Sequence, residues 1–75
     1  MLKDIIYFTK EDGQNKLLMV SSITEGDAMA LEHFDKADYE ACTKILGHKP
    51  HNIYKFIDGI EFKVLRSWIK PASSN

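Results

Sequence analysis

TEGDAMALEHFDKADYEACTKILG, residues 24–47, is the stretch whose reading decides the fold. Its apolar residues Ala30, Leu31, Phe34, Ala37, Ala41, Cys42, Ile45 and Leu46 recur at helical spacing and form one stripe down a single face. Thr24 reads as an N-cap with Asp27 three residues on, a relative of the capping box that satisfies free amides at a helix start. Glu25 and Asp27 suit the positive end of the helix dipole. Gly47 is a natural stop, with Pro50 just beyond it. Inside the segment, Asp35 offers a second N-cap that would split it into two shorter helices bent at Phe34–Lys36. The continuous stripe favours one helix, and the Asp-Lys-Ala-Asp run favours the break. Alanines 30, 37 and 41 would let the helix lie close on a sheet.

A hairpin is expected on either side. Residues Lys3–Thr9 and Lys16–Ile23 are rich in β-branched and aromatic side chains and flank Glu-Asp-Gly-Gln-Asn, where glycine supplies the positive φ of a tight turn. Apolar residues fall on both faces of this hairpin, so the face turned away from the helix needs a cover, either a neighbouring element or a second copy of the chain. In Asn52–Ile69 the Asp58-Gly59 turn sets Ile57 opposite Ile60, Lys55 opposite Phe62 and Ile53 opposite Val64. Ile53, Ile57, Ile60, Phe62 and Val64 then share a core face into which only Lys55 intrudes. The other side carries Tyr54 opposite Lys63 and Phe56 opposite Glu61. A rival helix fits Ile60, Val64, Leu65, Trp68 and Ile69, with Asp58 and Glu61 as its capping box, but β-branched and aromatic content favours the strand.

Length and composition bound the rest. Seventy-five residues make a single α+β domain over 1–70, with a frayed tail at 71–75. A chain of this size buries only about 60% of its unfolded surface, so a disulfide, metal or partner usually supports it. One cysteine cannot close an internal disulfide. Hydrophobic residues at 44% and charged residues at 28% suit a soluble globular domain rather than a disordered one. A net charge of −1 argues against an overall polycation for nucleic acid. The opening Met-Leu-Lys-Asp-Ile-Ile-Tyr-Phe is too short an apolar run for a signal peptide, and no run approaches the ~18 residues of a membrane helix. These features predict a cytoplasmic protein that does not contact membranes.

Charge is unevenly spread. Residues 24–43 hold Glu25, Asp27, Glu32, Asp35, Asp38 and Glu40 against Lys36, a balance of −5. Residues 44–75 hold Lys44, Lys49, Lys55, Lys63, Arg66 and Lys70 against Asp58 and Glu61, a balance of +4. Both halves read first as solvated faces. The sharper reading is a contact surface of one sign. Lys55, Lys63, Arg66 and Lys70 interleave with Tyr54, Phe56 and Trp68, a pattern by which single-strand binders stack bases and hold phosphates, yet no nucleic-acid motif is present.

Enzyme chemistry finds little support. Cys42, His48 and His51 lack a well-spaced fourth ligand for tetrahedral zinc, since His33 lies nine residues before Cys42 on the same segment. Cys42 falls in the apolar stripe, where a buried small thiol is ordinary. The four glycines form no phosphate-cradling loop, and Ser21-Ser22 lacks a glycine elbow. No cofactor, metal or catalytic residue is expected. The sequence predicts a non-enzymatic protein-binding module, an inhibitor or adaptor in the manner of accessory or phage-encoded regulators, with a homodimer through its sheet as one arrangement. Its expected contact residues are Tyr7, Tyr54, Phe56, Lys63, Arg66 and Trp68, with Glu32, Asp35, Asp38 and Glu40 as an alternative acidic face. The alternative is nucleic-acid binding through the basic, aromatic C-terminal hairpin.

Overall fold

A computed structural model describes residues 2–24, 26 and 34–69. These form an antiparallel four-stranded sheet with one helix packed against it, an α+β fold. Strands β1 (Leu2–Glu11) and β2 (Gln14–Thr24) precede helix α1 (Lys36–Leu46), and β3 (Tyr54–Ile57) and β4 (Ile60–Lys63) follow it, in the order β2-β1-β3-β4. Both hairpins close through Asp-Gly with positive φ at each residue: Asp12 and Gly13 at 53° and 75°, Asp58 and Gly59 at 51° and 79°. Those paired angles are the primed turns whose twist matches that of the strands they join.

The second hairpin has the expected register, with Ile57 opposite Ile60, Lys55 opposite Phe62 and Tyr54 opposite Lys63. The Val64 amide extends the pairing by donating to the Ile53 carbonyl at 2.8 Å. The segment is a strand, as expected, but a short one. After Lys63 the chain leaves the sheet and turns over residues 67–69, which brings Trp68 and Ile69 against the core. Ile53, Lys55, Ile57 and Val64 are buried, whereas Ile60, expected in the core, is exposed next to the turn.

The single helix over 24–47 is replaced by a break. Thr24 is the last residue of β2, Phe34 lies in a bend, and Asp35 is extended with φ −106° and ψ −176°. Asp35 caps α1: its carboxylate accepts from the Asp38 amide, and the Asp38 carboxylate accepts from the Asp35 amide, both at 3.0 Å. Two reciprocal bonds over three residues fix the start of α1 at Lys36. Gly47 ends α1 in the left-handed conformation at φ 96°, as expected, its N–H donating to the Thr43 carbonyl. Ala30 and Leu31 of the expected stripe, and Glu25 and Asp27 of the expected cap, lie outside the described residues, as does the 71–75 tail.

The break also resets the helix phase. Tyr39 and Cys42 are the buried residues of α1, with Leu46 packed against the same cluster, while Ala37, Ala41 and Ile45 face outward. Tyr39 fixes this rotation. Its hydroxyl donates to the Pro50 carbonyl at 2.7 Å, and its ring meets Trp68 edge-on at 5.1 Å. Beneath lie Ile5, Tyr7, Leu18, Phe34, Ile53, Ile57 and Val64. Phe34 packs on Tyr7 at 4.9 Å and on Trp68 at 6.4 Å, so the kinked residue is the centre of an aromatic cluster. Fully burying a side chain of this size contributes about 1.5–3 kcal/mol.

Candidate interaction surface

The sheet has one face under α1 and one over which no other described element lies. Alternation along β1 sends Ile5, Tyr7 and Thr9 into the core and Asp4, Ile6, Phe8 and Lys10 to the open side, where Phe8 is nevertheless only 7% exposed, stacked on Tyr54. In β2 the alternation is interrupted by a register shift between Tyr7 and Phe8, where Leu18 is the extra residue. Leu18 is buried and Met19 packs against the core cluster, so both serve the core opposite Tyr7. Leu17 and Val20 on either side fall opposite Phe8 and Ile6 and remain 62% and 58% exposed. A bulge of this type lets four successive apolar residues divide between two faces.

Two cross-strand rows result. Val20, Ile6, Phe56 and Glu61 follow one another across β2, β1, β3 and β4, and Leu17, Phe8, Tyr54 and Lys63 form the next row. Each row is three apolar or aromatic residues ending in one charge, of opposite sign in the two rows. Phe8 and Tyr54 stack with ring centroids 5.6 Å apart. Lys10 lies over the Tyr54 ring at 4.5 Å and reaches the Glu61 carboxylate at 2.7 Å. A shallow concavity of about 280 Å³ opens between the rows, lined by Ile6, Phe8, Asn15, Leu17, Phe56 and Glu61.

The expected contact residues separate accordingly. Tyr54, Phe56 and Lys63 share the open face. Tyr7 does not: it is 1% exposed on the core face, so it belongs to no surface. Trp68 packs on Phe34 and Tyr39 instead of standing beside Tyr54. Arg66 ties the segment after β4 to the chain before α1, its Nε donating to the Phe34 carbonyl at 2.9 Å. It also lines a second concavity of about 310 Å³ with His51, Asn52, Lys63, Ser67 and three apolar residues. Of the alternative acidic face, Asp35 and Asp38 are engaged in the helix cap, Glu40 is exposed, and Glu32 lies outside the described residues. Ile6, Phe8, Leu17 and Val20 are face residues absent from the expected set. Ile5–Phe8 is apolar throughout, so the sequence does not say which of its residues face outward, and the bulge hides Leu17 and Val20 within a second unbroken apolar run.

Two buried titratable groups, Tyr7 and Cys42, have shifted acidities. Burial, with Asp38 adding to it, pushes the Tyr7 hydroxyl up to about 12 and the Cys42 thiol up to about 11. A thiol shifted in that direction is a poorer nucleophile at neutral pH. No cluster of three or more metal-ligating side chains occurs among the described residues, and His48 instead lies 3.3 Å from the Glu11 carboxylate. No helix of the described residues is long and apolar enough to cross a membrane.

No protein-family model matches this chain, and comparison with curated proteins and with solved structures returns no match.

Proposed function

We propose that this chain is a small non-enzymatic protein-binding module, an inhibitor or adaptor acting in the cytoplasm, and that the open sheet face is its contact surface. One observation carries the reading: two adjacent cross-strand rows, Val20–Ile6–Phe56 and Leu17–Phe8–Tyr54, have no element of the described chain over them, and Val20, Ile6, Phe56 and Leu17 are exposed around a half-buried Tyr54 and a Phe8 buried between its neighbours on that face. Sheets with one solvated face normally alternate to polar residues there. Contiguous apolar and aromatic surface rimmed by charge is characteristic of contact sites. The analogy with accessory or phage-encoded regulators follows from small size and the absence of catalytic motifs.

The test is affinity capture from lysate with and without nuclease, using the wild-type chain and a Phe56→Glu variant side by side. Phe56 is on the open face, so the variant keeps the core intact. Proteins captured by the wild type, retained after nuclease and lost with the variant support the reading. Equal capture by both chains overturns the assignment to this face.

A second reading, nucleic-acid binding, draws on the concavity beside β4, where His51, Lys63 and Arg66 converge with no acidic side chain in the lining. Capture that disappears with nuclease, and affinity that falls steeply with salt, would favour it.

A further inference from the structure

We infer that the partner seated on the open face is a second copy of this chain, packed sheet to sheet about a two-fold axis that lies between the sheets and runs perpendicular to the strands. The inference rests on the reading of that face as the contact surface and names its occupant.

The argument is one of self-complementarity. A two-fold axis between two facing sheets can run along the strands or across them. An axis along the strands lays β2 of one copy over β4 of the other. Val20 then covers Glu61 and Leu17 covers Lys63, which desolvates charges against aliphatic side chains. An axis across the strands lays each strand over its own equivalent and exchanges the two rows. Val20 then meets Leu17 of the second copy, Ile6 meets its Phe8, Phe56 meets its Tyr54, and Glu61 meets its Lys63. Apolar residues face apolar residues, and the acid at the end of one row faces the base at the end of the other.

The flanking positions obey the same rule. Beyond one row lies Asp4, opposite Ser22; beyond the other lies Lys10, opposite Asn15. Row exchange brings Asp4 of one copy to Lys10 of the other, and Ser22 to Asn15. Within one chain Lys10 already pairs with Glu61 across the Tyr54 ring. The dimer therefore extends a pair into an alternating series: Asp4 of the second copy, Lys10, Glu61, then Lys63 of the second copy. Lys63 makes no ion pair among the described residues, so this contact gives it one. Sheet twist turns aligned sheets by about 30°, which the concavity between the rows accommodates by receiving side chains of the facing copy.

The sign pattern gives a specific test by sedimentation velocity. Wild-type chain is expected to sediment as a dimer. Lys63→Glu makes the row ends of a copy all acidic, and Glu61→Lys makes them all basic, so each variant alone is expected to sediment as a monomer. Mixed in equal amounts, an acidic and a basic copy match at both ends and dimer is restored. Trp68 is partly buried against the core cluster and away from the face, so its emission reports whether each variant is folded. A dimer that persists in both single variants overturns the inference, because pairing along the exposed edge of β2 would ignore these charges. Monomeric variants that stay monomeric when mixed also overturn it.

Failure of the dimer is distinguishable from failure of the proposed function. A wild-type chain that is monomeric up to about 1 mM, yet loses a captured protein on Phe56→Glu, overturns the second copy as occupant and leaves the face as the contact surface. A monomer whose captures ignore Phe56→Glu overturns both.

Discussion

The side-chain amide of Asn52 pairs with both backbone groups of Lys10: its Oδ1 accepts from the Lys10 N–H at 2.8 Å and its Nδ2 donates to the Lys10 carbonyl at 3.0 Å. The same Oδ1 accepts from the Thr9 hydroxyl at 2.8 Å. A side chain thus continues the β1–β3 ladder past Tyr54, where β3 itself has not yet begun. It also satisfies the hydroxyl of Thr9, which is fully buried. Replacing Asn52 by alanine leaves that hydroxyl and two backbone groups without partners. The expected loss is about 1–3 kcal/mol by urea denaturation. A midpoint unchanged from wild type would show that water replaces the amide at no cost.

Asp35 decides where α1 starts, through a cap that needs both carboxylates. Asp35→Ala should lower stability by about 1 kcal/mol, because it uncaps the Asp38 amide inside the first turn of α1, and Asp38→Ala should lower it by less, because the bond it removes is to the Asp35 amide, which lies outside the helix. Thermal melts followed by circular dichroism at the helix band check both. Equal and negligible effects would mean that Phe34 alone, held between Tyr7 and Trp68, enforces the break.

Two buried tyrosines make opposite predictions on losing a hydroxyl. Tyr39→Phe removes the bond to the Pro50 carbonyl and is expected to cost about 1 kcal/mol. The Tyr7 hydroxyl is buried without a hydrogen-bond partner among the described residues, so Tyr7→Phe removes a desolvated polar atom and should leave stability unchanged or raise it. Paired denaturation curves decide the matter; a larger loss for Tyr7→Phe than for Tyr39→Phe would contradict the geometry.

Alkaline pH should unfold the chain through its buried acids. The Tyr7 hydroxyl is raised from its ordinary value of 10 to about 12, and the Cys42 thiol from 9 to about 11, in both cases chiefly by desolvation. The folded state therefore holds these protons more tightly than the unfolded state does. Their stabilising effect is complete below pH 9 and is lost between pH 9 and about 12. Tyr7→Phe and Cys42→Ala should each flatten part of that fall, read as the denaturation midpoint against pH. Identical alkaline profiles for wild type and both variants would refute the assignment.

Trp68 provides a direct contrast between expectation and structure. As a contact residue it would be dispensable for folding, but as the partner of Phe34 and Tyr39 it is not. Trp68→Ala is expected to destabilise by about 3 kcal/mol or more, and the emission of wild-type Trp68 should shift to the red on unfolding. Emission already at the solvent-exposed wavelength in the native state would place it outside the core.

How much of this was legible in the chain depends on the range of each interaction. Both hairpins, their Asp-Gly turns and the register of residues 53–64 are local matters: turn length and positive φ set the pairing, and alternation assigns the faces. The α+β class followed from these and from one strongly helical stretch. The cap at Asp35 was readable as a possibility, because its partner stands three residues away. Its consequence was not: once the helix restarts at Lys36, Tyr39 and not Ala37 or Ala41 meets the sheet, and only Pro50 and Trp68, remote in sequence, hold that rotation.

The open sheet face divides in the same way. Tyr54, Phe56 and Lys63 follow from alternation in a short hairpin, whereas the place of Tyr7 depends on which face of β1 the aromatic cluster covers. Leu17 and Val20 depend on a bulge whose extra residue no local signal marks. Tertiary structure alone brought these residues into two rows ending in opposite charges, since a row runs across strands that are distant in sequence. Sequence by itself thus determined the strands, the turns and the α+β class of the chain, because those are set by near neighbours. Packing decided which apolar residues are core and which are surface, because burial is settled by whatever element arrives from elsewhere in the chain.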